Sequence, residues 1–305
     1  MTTHIDVLTS REVPLGGPRA MRVRRTLPQR HRSMIGAWCF VDHYGPDEVE
    51  QTGGMVVAPH PHTGLQTASW LFEGEIEHRD SAGNVAVVRP GELNLMTAGR
   101  GISHSEVSTP GTSVLHGAQL WIALPEGSRD TDPGFEHFVP QPVRGPGWEA
   151  RVFLGSLLGA SSPVRTHTPL LGVELMLATG KSLEIEVDET FEHGVMLDVG
   201  VIEVEETELK PSDLAYLPTG RRTVRITAHE EARLLVLGGP PFGEAIVMWW
   251  NFIGRTHDEI VGFREEWQQQ VVDGTQTDGR FGVVDIDLEP IPAPALPHVR
   301  LKLRH

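Results

Sequence analysis

Two histidines flank a proline in "APHPHTGLQ", residues 58–66, and that arrangement can present two nitrogen donors to one metal ion. His60 precedes Pro61, and a residue before proline is pushed out of the α region into an extended conformation. Pro61 fixes its own φ near the β and polyproline range. The imidazoles of His60 and His62 then lie two residues apart on one face of an extended strand, close enough to share a metal at bond lengths of about 2.0–2.2 Å. Pro59 and Pro61 also remove two ladder donors, which places the segment at a sheet edge or a barrel mouth. A second pair follows in "GRGISHSEVS", where His104 and Glu106 again stand at i and i+2. If these strands belong to one antiparallel barrel, His60, His62, His104 and Glu106 meet at one interior point. Three neutral nitrogens and a carboxylate leave one or two positions open on an octahedral ion, the logic of non-haem iron sites with one extra histidine. Zinc prefers a closed tetrahedron, and Mn, Ni and Cu compete by availability. In a chain with 15 histidines a single His-x-His pair is weak evidence, and two satisfied polar residues at a strand edge would look the same. The order of both pairs around a Pro-Gly turn carries more weight.

Short strands must position these residues. "TASWLFEGEIEHRD", "NVAVVRPGELNLM", "SLEIEVDE" and "HGVMLDVGVIEVEE" are β-rich runs bounded by Gly, Pro, Asn and Asp. In "GVIEVEETELKP" apolar Val201, Ile202, Val204 and Leu209 interleave with four glutamates, as on an antiparallel strand with one wet face. The helical signal is confined to "RTHDEIVGFREEWQQQVV", with Thr256 as N-cap, Glu259 three residues on, and Ile260, Phe263, Trp267 and Val271 forming a core stripe. "VVRPGELNLMTAGRG" and "TELKPSDLAYLPTGRR" share one pattern, and each follows a strand pair with glycine at the same place in its turn. Two similar β units are expected, residues 1–140 and 141–305, joined through the Pro/Gly-rich "FVPQPVRGPGW". The fold class is therefore all-β: two barrels or jelly rolls of the type to which cupins belong, with a short C-terminal helix.

Composition narrows the function. A formal charge of -15 argues against a phosphate-neutralising surface, so no nucleic acid is expected, and the basic run "RVRRTLPQRHR" reads as a solvated arm. The first residues carry no basic region followed by an apolar one, and no stretch approaches eighteen apolar residues; neither secretion nor a membrane span is expected. The single cysteine, Cys39, excludes an internal disulfide framework, suits a reducing cytoplasm, and reads as core.

"HPHTGLQTASWLFEGEIEHRDSAGN", "PGELNLMTAGRGISHSE" and "HGAQLWIALP" together resemble the pirin family, densely over residues 20–125 and loosely beyond. That resemblance implies a bicupin whose first barrel holds one divalent metal, Fe(II) by preference, on His60, His62, His104 and Glu106, with Mn, Ni, Cu or Zn as alternatives. It also implies a quercetin 2,3-dioxygenase-like activity on a chelating flavonol, with Glu106 as catalytic base. Other pirins act instead as metal- or redox-dependent regulators that bind a partner protein, and a metal that only staples the barrel is a third reading. Gln66 stands where most pirins have Glu, so the anionic ligand is assigned to Glu106, and Gln66 either orients a ligand or is an ordinary strand residue. Gln119, Trp121 and His116 are candidate pocket walls. In the second unit, alignment puts Glu186, Asp188, Arg225 and Thr227 in the equivalent slots, with His193 nearby but isolated; this unit is expected to hold no metal and to be structural or a partner surface. The remaining histidines, among them His4, are left as surface or core residues.

Overall fold

A computed structural model describes residues 5–14, 21–274 and 278–305; His4 lies outside them. The strands, in chain order, are β1 (Asp6–Leu8), β2 (Arg11–Pro14), β3 (Arg22–Leu27), β4 (Trp38–Glu48), β5 (Val56–His62), β6 (Leu65–Glu73), β7 (Ile76–Asp80), β8 (Val85–Val88), β9 (Leu93–Thr97), β10 (Ile102–Ser108), β11 (Val114–Ala123) and β12 (Gly134–Phe138). The second series comprises β13 (Val143–Gly145), β14 (Trp148–Leu154), the small hairpin β15 (Ser156–Leu157) and β16 (Ala160–Ser161), β17 (Leu171–Leu177), β18 (Ser182–Glu186), β19 (Glu192–Val199), β20 (Ile202–Val204), β21 (Thr207–Leu209), β22 (Leu214–Leu217), β23 (Thr223–Ala228) and β24 (Ala232–Gly239). A last hairpin, β25 (Val247–Trp249) and β26 (Phe252–Gly254), precedes the helix His257–Trp267.

The repeat seen in the residues is a repeat of topology. The first barrel pairs a sheet of order β12-β9-β6-β11-β4-β3-β2 with one of order β5-β10-β7-β8. The second pairs β1-β22-β19-β24-β17-β14-β13 with β18-β23-β20-β21. Strand for strand the two sets correspond, β5 to β18 and β11 to β24. At the shared turn Gly74 and Gly200 have φ of +84° and +91°, and a Cβ at either would strike the carbonyl oxygen of Val114 or Glu231. Only glycine satisfies both demands.

The seven-stranded sheets lie face to face, because each is apolar on both sides. Trp38, Trp70, Leu120 and Ile122 of the first meet Phe153, Met196, Leu235 and Leu237 of the second in one core, the inter-sheet packing expected of sandwiches. The other face of each sheet fills its own barrel: Val173, Val195 and Leu197 in the second, where Val224 and Ile226 of the four-stranded sheet join them, and Val23, Tyr44, Leu71 and Leu115 in the first. Cys39 is fully buried, and burial pushes its thiol up to about 12; it is a core residue.

The chain ends depart from the simple division at residue 140. β1 adds to the second sheet beside β22, and the C-terminal segment returns to the first barrel, where Phe252 bridges to Thr63 and the Ile291 N–H donates to Pro59 O at 2.8 Å. The helix begins as its residues prescribe: the Thr256 hydroxyl accepts from Glu259 N–H at 3.1 Å, and Ile260 and Trp267 are buried. The Glu259 carboxylate turns to Arg129 and to the Arg255 N–H. Among the described residues no helix is long and apolar enough to cross a membrane.

Candidate metal centre

β5 and β10 are antiparallel neighbours, and their register sets His60 directly opposite His104. A bulge between His104 and Glu106 re-aims the strand, a common device at barrel rims and active sites. His60, His62, His104 and Glu106, all buried, line one cavity of about 300 Å³. A ligand atom from each of the three histidines lies within 4.8 Å of the others, whereas Glu106 groups at that distance with His104 and His78; the His62 and His104 Nε2 atoms are 3.1 Å apart.

Each imidazole is held by its other nitrogen. His60 Nδ1–H donates to Ala58 O at 3.0 Å and His62 Nδ1–H to Asn251 O at 3.1 Å; a carbonyl only accepts, so both rings keep a bare Nε2. His104 Nδ1 lies 3.3 Å from His78 Nδ1, and His78 Nε2 lies 3.3 Å from Asp80 Oδ2. Burial acts to raise the Asp80 carboxyl, but hydrogen bonds from His78 and Asn84 outweigh it and hold it below the usual range. The Ala82 and Asn84 backbone N–H groups, each at 3.0 Å, add to them. Since an ionised Asp80 must receive a proton from His78 Nε2, His78 Nδ1 is the acceptor and His104 Nδ1 the donor. All three rings therefore carry a bare Nε2. Tautomers tied in this way are the usual mark of histidine ligands.

The fit to a cation follows. Burial keeps all three rings neutral, with His60 pushed down to about 4 and His62 and His104 well below the usual value. Two bare nitrogens 3.1 Å apart repel each other unless a cation lies between them. Donors at right angles around an ion with bonds of about 2.0–2.2 Å would stand about 3.0 Å apart, so the spacing suits an octahedral ion better than a tetrahedral one. Burial also pushes the Glu106 carboxyl up, against the Ser69 hydroxyl, which donates to it at 3.3 Å. A divalent ion would supply the missing positive charge.

The remaining sequence-picked residues divide. Gln119 and Trp121 line the cavity; Gln119 Oε1 accepts from Ser69 at 2.8 Å, and Trp121 stacks on Phe40 at 4.0 Å and 12°. Gln66 and His116 do not line it. Gln66 pairs with Ile122, whose side chain packs in the inter-barrel core, and its amide donates to Thr97. Strand alternation thus puts Gln66 on the face away from the ligands. His116 lies on the other face of β11 from Gln119 and Trp121, within the polar cluster between the barrels.

That cluster has metal-like composition but not metal-like chemistry. His43 and His116 each place Nε2 2.6 Å from Asp198 Oδ1. Their Nδ1 atoms face Arg24 and Arg233, at 3.1 and 3.3 Å. Guanidinium groups only donate, so both Nδ1 atoms must accept and both Nε2–H groups donate to Asp198. No lone pair remains for an ion. Burial disfavours the Asp198 carboxylate, but these partners outweigh it and hold it well below the usual range. The group is a polar latch between the barrels.

In the second barrel the alignment-based slots are corrected. β23 turns Val224, Ile226 and Ala228 inward, which leaves Arg225 and Thr227 on the outer face; Arg225 pairs there with Glu184 at 2.8 Å, and Glu186 and Asp188 are exposed. Aliphatic side chains occupy the interior positions where ligands would have to stand.

Residue patterns missed seven cavity-lining residues, Pro14, Phe40 and Val57 among them, and one supporting histidine. Trp250, Asn251 and Ile291 reach the cavity from the C-terminal segment, and Arg25 from β3. Arg25 lies 4.2 Å over the Phe40 ring and is held by Asp42 through two 2.7 Å hydrogen bonds. His78 stood in a quoted motif without a role; its i, i+2 spacing to Asp80 was the available signal.

Comparison with known proteins agrees with this architecture. The pirin family model matches residues 20–122, and the model of the pirin C-terminal cupin domain matches residues 172–273. A Pseudomonas aeruginosa protein named as a candidate quercetin 2,3-dioxygenase is 44% identical over 95% of this chain and 90% of its own length. A pirin-like protein of Caulobacter vibrioides is 35% identical over 92% of this chain and 96% of its own. A crystal structure described as quercetin 2,3-dioxygenase from Acinetobacter baumannii superposes with a TM-score of 0.90 at 40% identity, covering 97% of each chain. Matched in both halves and aligned over nearly its whole length, the chain is a two-domain cupin and belongs to the pirin family.

Proposed function

We propose that the chain is a mononuclear iron dioxygenase of the reducing cytoplasm that acts on a flavonol-type substrate. The observation that carries this reading is the set of three bare Nε2 atoms and the Glu106 carboxylate at the floor of a cavity with a flat aromatic wall. His60, His62, His104 and Glu106 would hold the metal. When bound, it supplies Lewis acidity, lowering the pKa of a substrate hydroxyl, and a redox centre for dioxygen. The octahedral-type spacing suits a first-row divalent ion such as iron, and the names of the relatives support a flavonol.

The chain's own groups do the rest. Arg25, Phe40 and Trp121 form a continuous stack, with His62 edge-on to Trp121 at 5.1 Å; a planar polyphenol can lie along it. Glu106, raised by burial, is placed to accept the hydroxyl proton. Ser69 shares one proton between Glu106 and Gln119, so Gln119 can follow a change in Glu106 without leaving its strand. Trp250 closes the mouth with φ at +52°, a strained conformation for so large a residue.

The test is O2 uptake by iron-loaded protein with quercetin. Uptake that depends on both iron and quercetin supports the proposal; none at full iron occupancy defeats the enzymatic reading. The His104–His78–Asp80 chain gives a second expectation. Asp80→Asn or His78→Phe should weaken metal binding by about 10- to 100-fold, the usual cost of losing a ligand's outer partner. Competition with a chelator would measure it, and unchanged affinity in both variants would leave the chain without that role.

A further inference from the structure

The second barrel contains a histidine that the metal centre does not explain. His193 is 1% exposed, yet neither ring nitrogen has a hydrogen-bond partner among the described residues. Buried polar groups are nearly always satisfied, and an exception calls for a ligand or water. The ring is not a misplaced core residue. It stands on β19 opposite Leu217 and Gly238, and a Cβ at Gly238 would come within 3.0 Å of its Cδ2, so glycine there makes room for it. Pairing fixes its counterpart in the first barrel. Trp70 faces Leu93 as Met196 faces Leu214, the two leucines being equivalent in the repeat; counting back three residues on each strand sets His193 at the place of Thr67. Val195 and Leu197, of the same parity, point into the second barrel, and so does His193.

It opens on a cavity of about 390 Å³ lined also by Phe191, Leu157, Val164 and Leu170. Glu186 and Asp188 stand at the rim, and among the described residues no lysine or arginine lines it. Thr190 holds Asp188 ionised through two hydrogen bonds. Desolvation pushes His193 down to about 4, so the neutral ring offers one donor and one acceptor to a chamber whose wall mixes apolar side chains with Ser156, Ser162 and Thr166 and whose entrance is anionic. Anions are repelled there. A hydroxyl both donates and accepts, and therefore matches either ring nitrogen. A flat ring best covers Phe191 and the aliphatic wall at this size.

We propose that the second barrel is a metal-free binding site for a neutral hydroxylated aromatic molecule, with its hydroxyl on His193 and its ring against Phe191 and Leu157. The site is separate from the metal centre and does not depend on the activity proposed there.

The full chain would be titrated with phenol, benzoate and toluene while the imidazole 1H–15N correlations of His193 are followed, assigned by His193→Gln. Phenol should shift them with a dissociation constant of about 1 mM, and benzoate and toluene should bind at least tenfold more weakly. Glu186→Lys, at an exposed position, should bring benzoate within a few-fold of phenol by reversing charge at the rim. Toluene binding as tightly as phenol would overturn the proposal by reducing the site to an apolar hole. Absence of any His193 response to phenol would overturn it by leaving water as the ring's partner.

Discussion

His62→Ala should purify folded and without its metal. The substitution removes one of three imidazoles whose Nε2 atoms face a single point, and it also releases Asn251 O, the carbonyl that ties the β25–β26 hairpin to the site. Losing a ligand's outer partner alone costs about 10- to 100-fold in affinity, so loss of the ligand itself should exceed about 10²-fold and leave no metal after dialysis. Elemental analysis against wild type checks it, with exposed His229→Ala as control and circular dichroism to verify folding. Full occupancy surviving the loss of both His60 and His62 would refute the ligand assignment.

Glu106→Gln should separate holding the metal from using it. Glutamine keeps an oxygen donor of nearly the same shape but cannot accept a proton, so metal binding should weaken and partly persist. Quercetin-dependent O2 uptake should fall by roughly 10² to 10⁴, the usual worth of a positioned general base. The comparison is made at matched iron occupancy. Equal rates in the two proteins would remove Glu106 from the chemistry and leave it a ligand alone.

Local chemistry explains why the candidate donor cluster was readable in advance. His60-Pro61-His62 and His104-x-Glu106 each carry their own geometry, because an extended strand sends i and i+2 to the same side. Thr256 and Glu259 announced the helix start for the same reason: a cap is satisfied within one turn. The repeat was legible as a repeat, yet its facing was not. Equating Arg225 and Thr227 with His104 and Glu106 is off by one in side-chain direction, and in a strand such a slip exchanges the inside for the outside.

The amino-acid order by itself determined the two-unit β architecture, the paired candidate donors and the acidic, single-cysteine character of the chain, since each rests on neighbours a few residues apart. Tertiary structure decided what surrounds those pairs. The partner of His62 lies 189 residues away in Asn251, Ile291 comes from a segment that crosses back from the second half, and His116 meets Asp198 only because two sheets pack face to face. Which side of a strand faces the donor cluster, the latch or a cavity depends on what packs against it, and a strand's own period of two offers both faces equally.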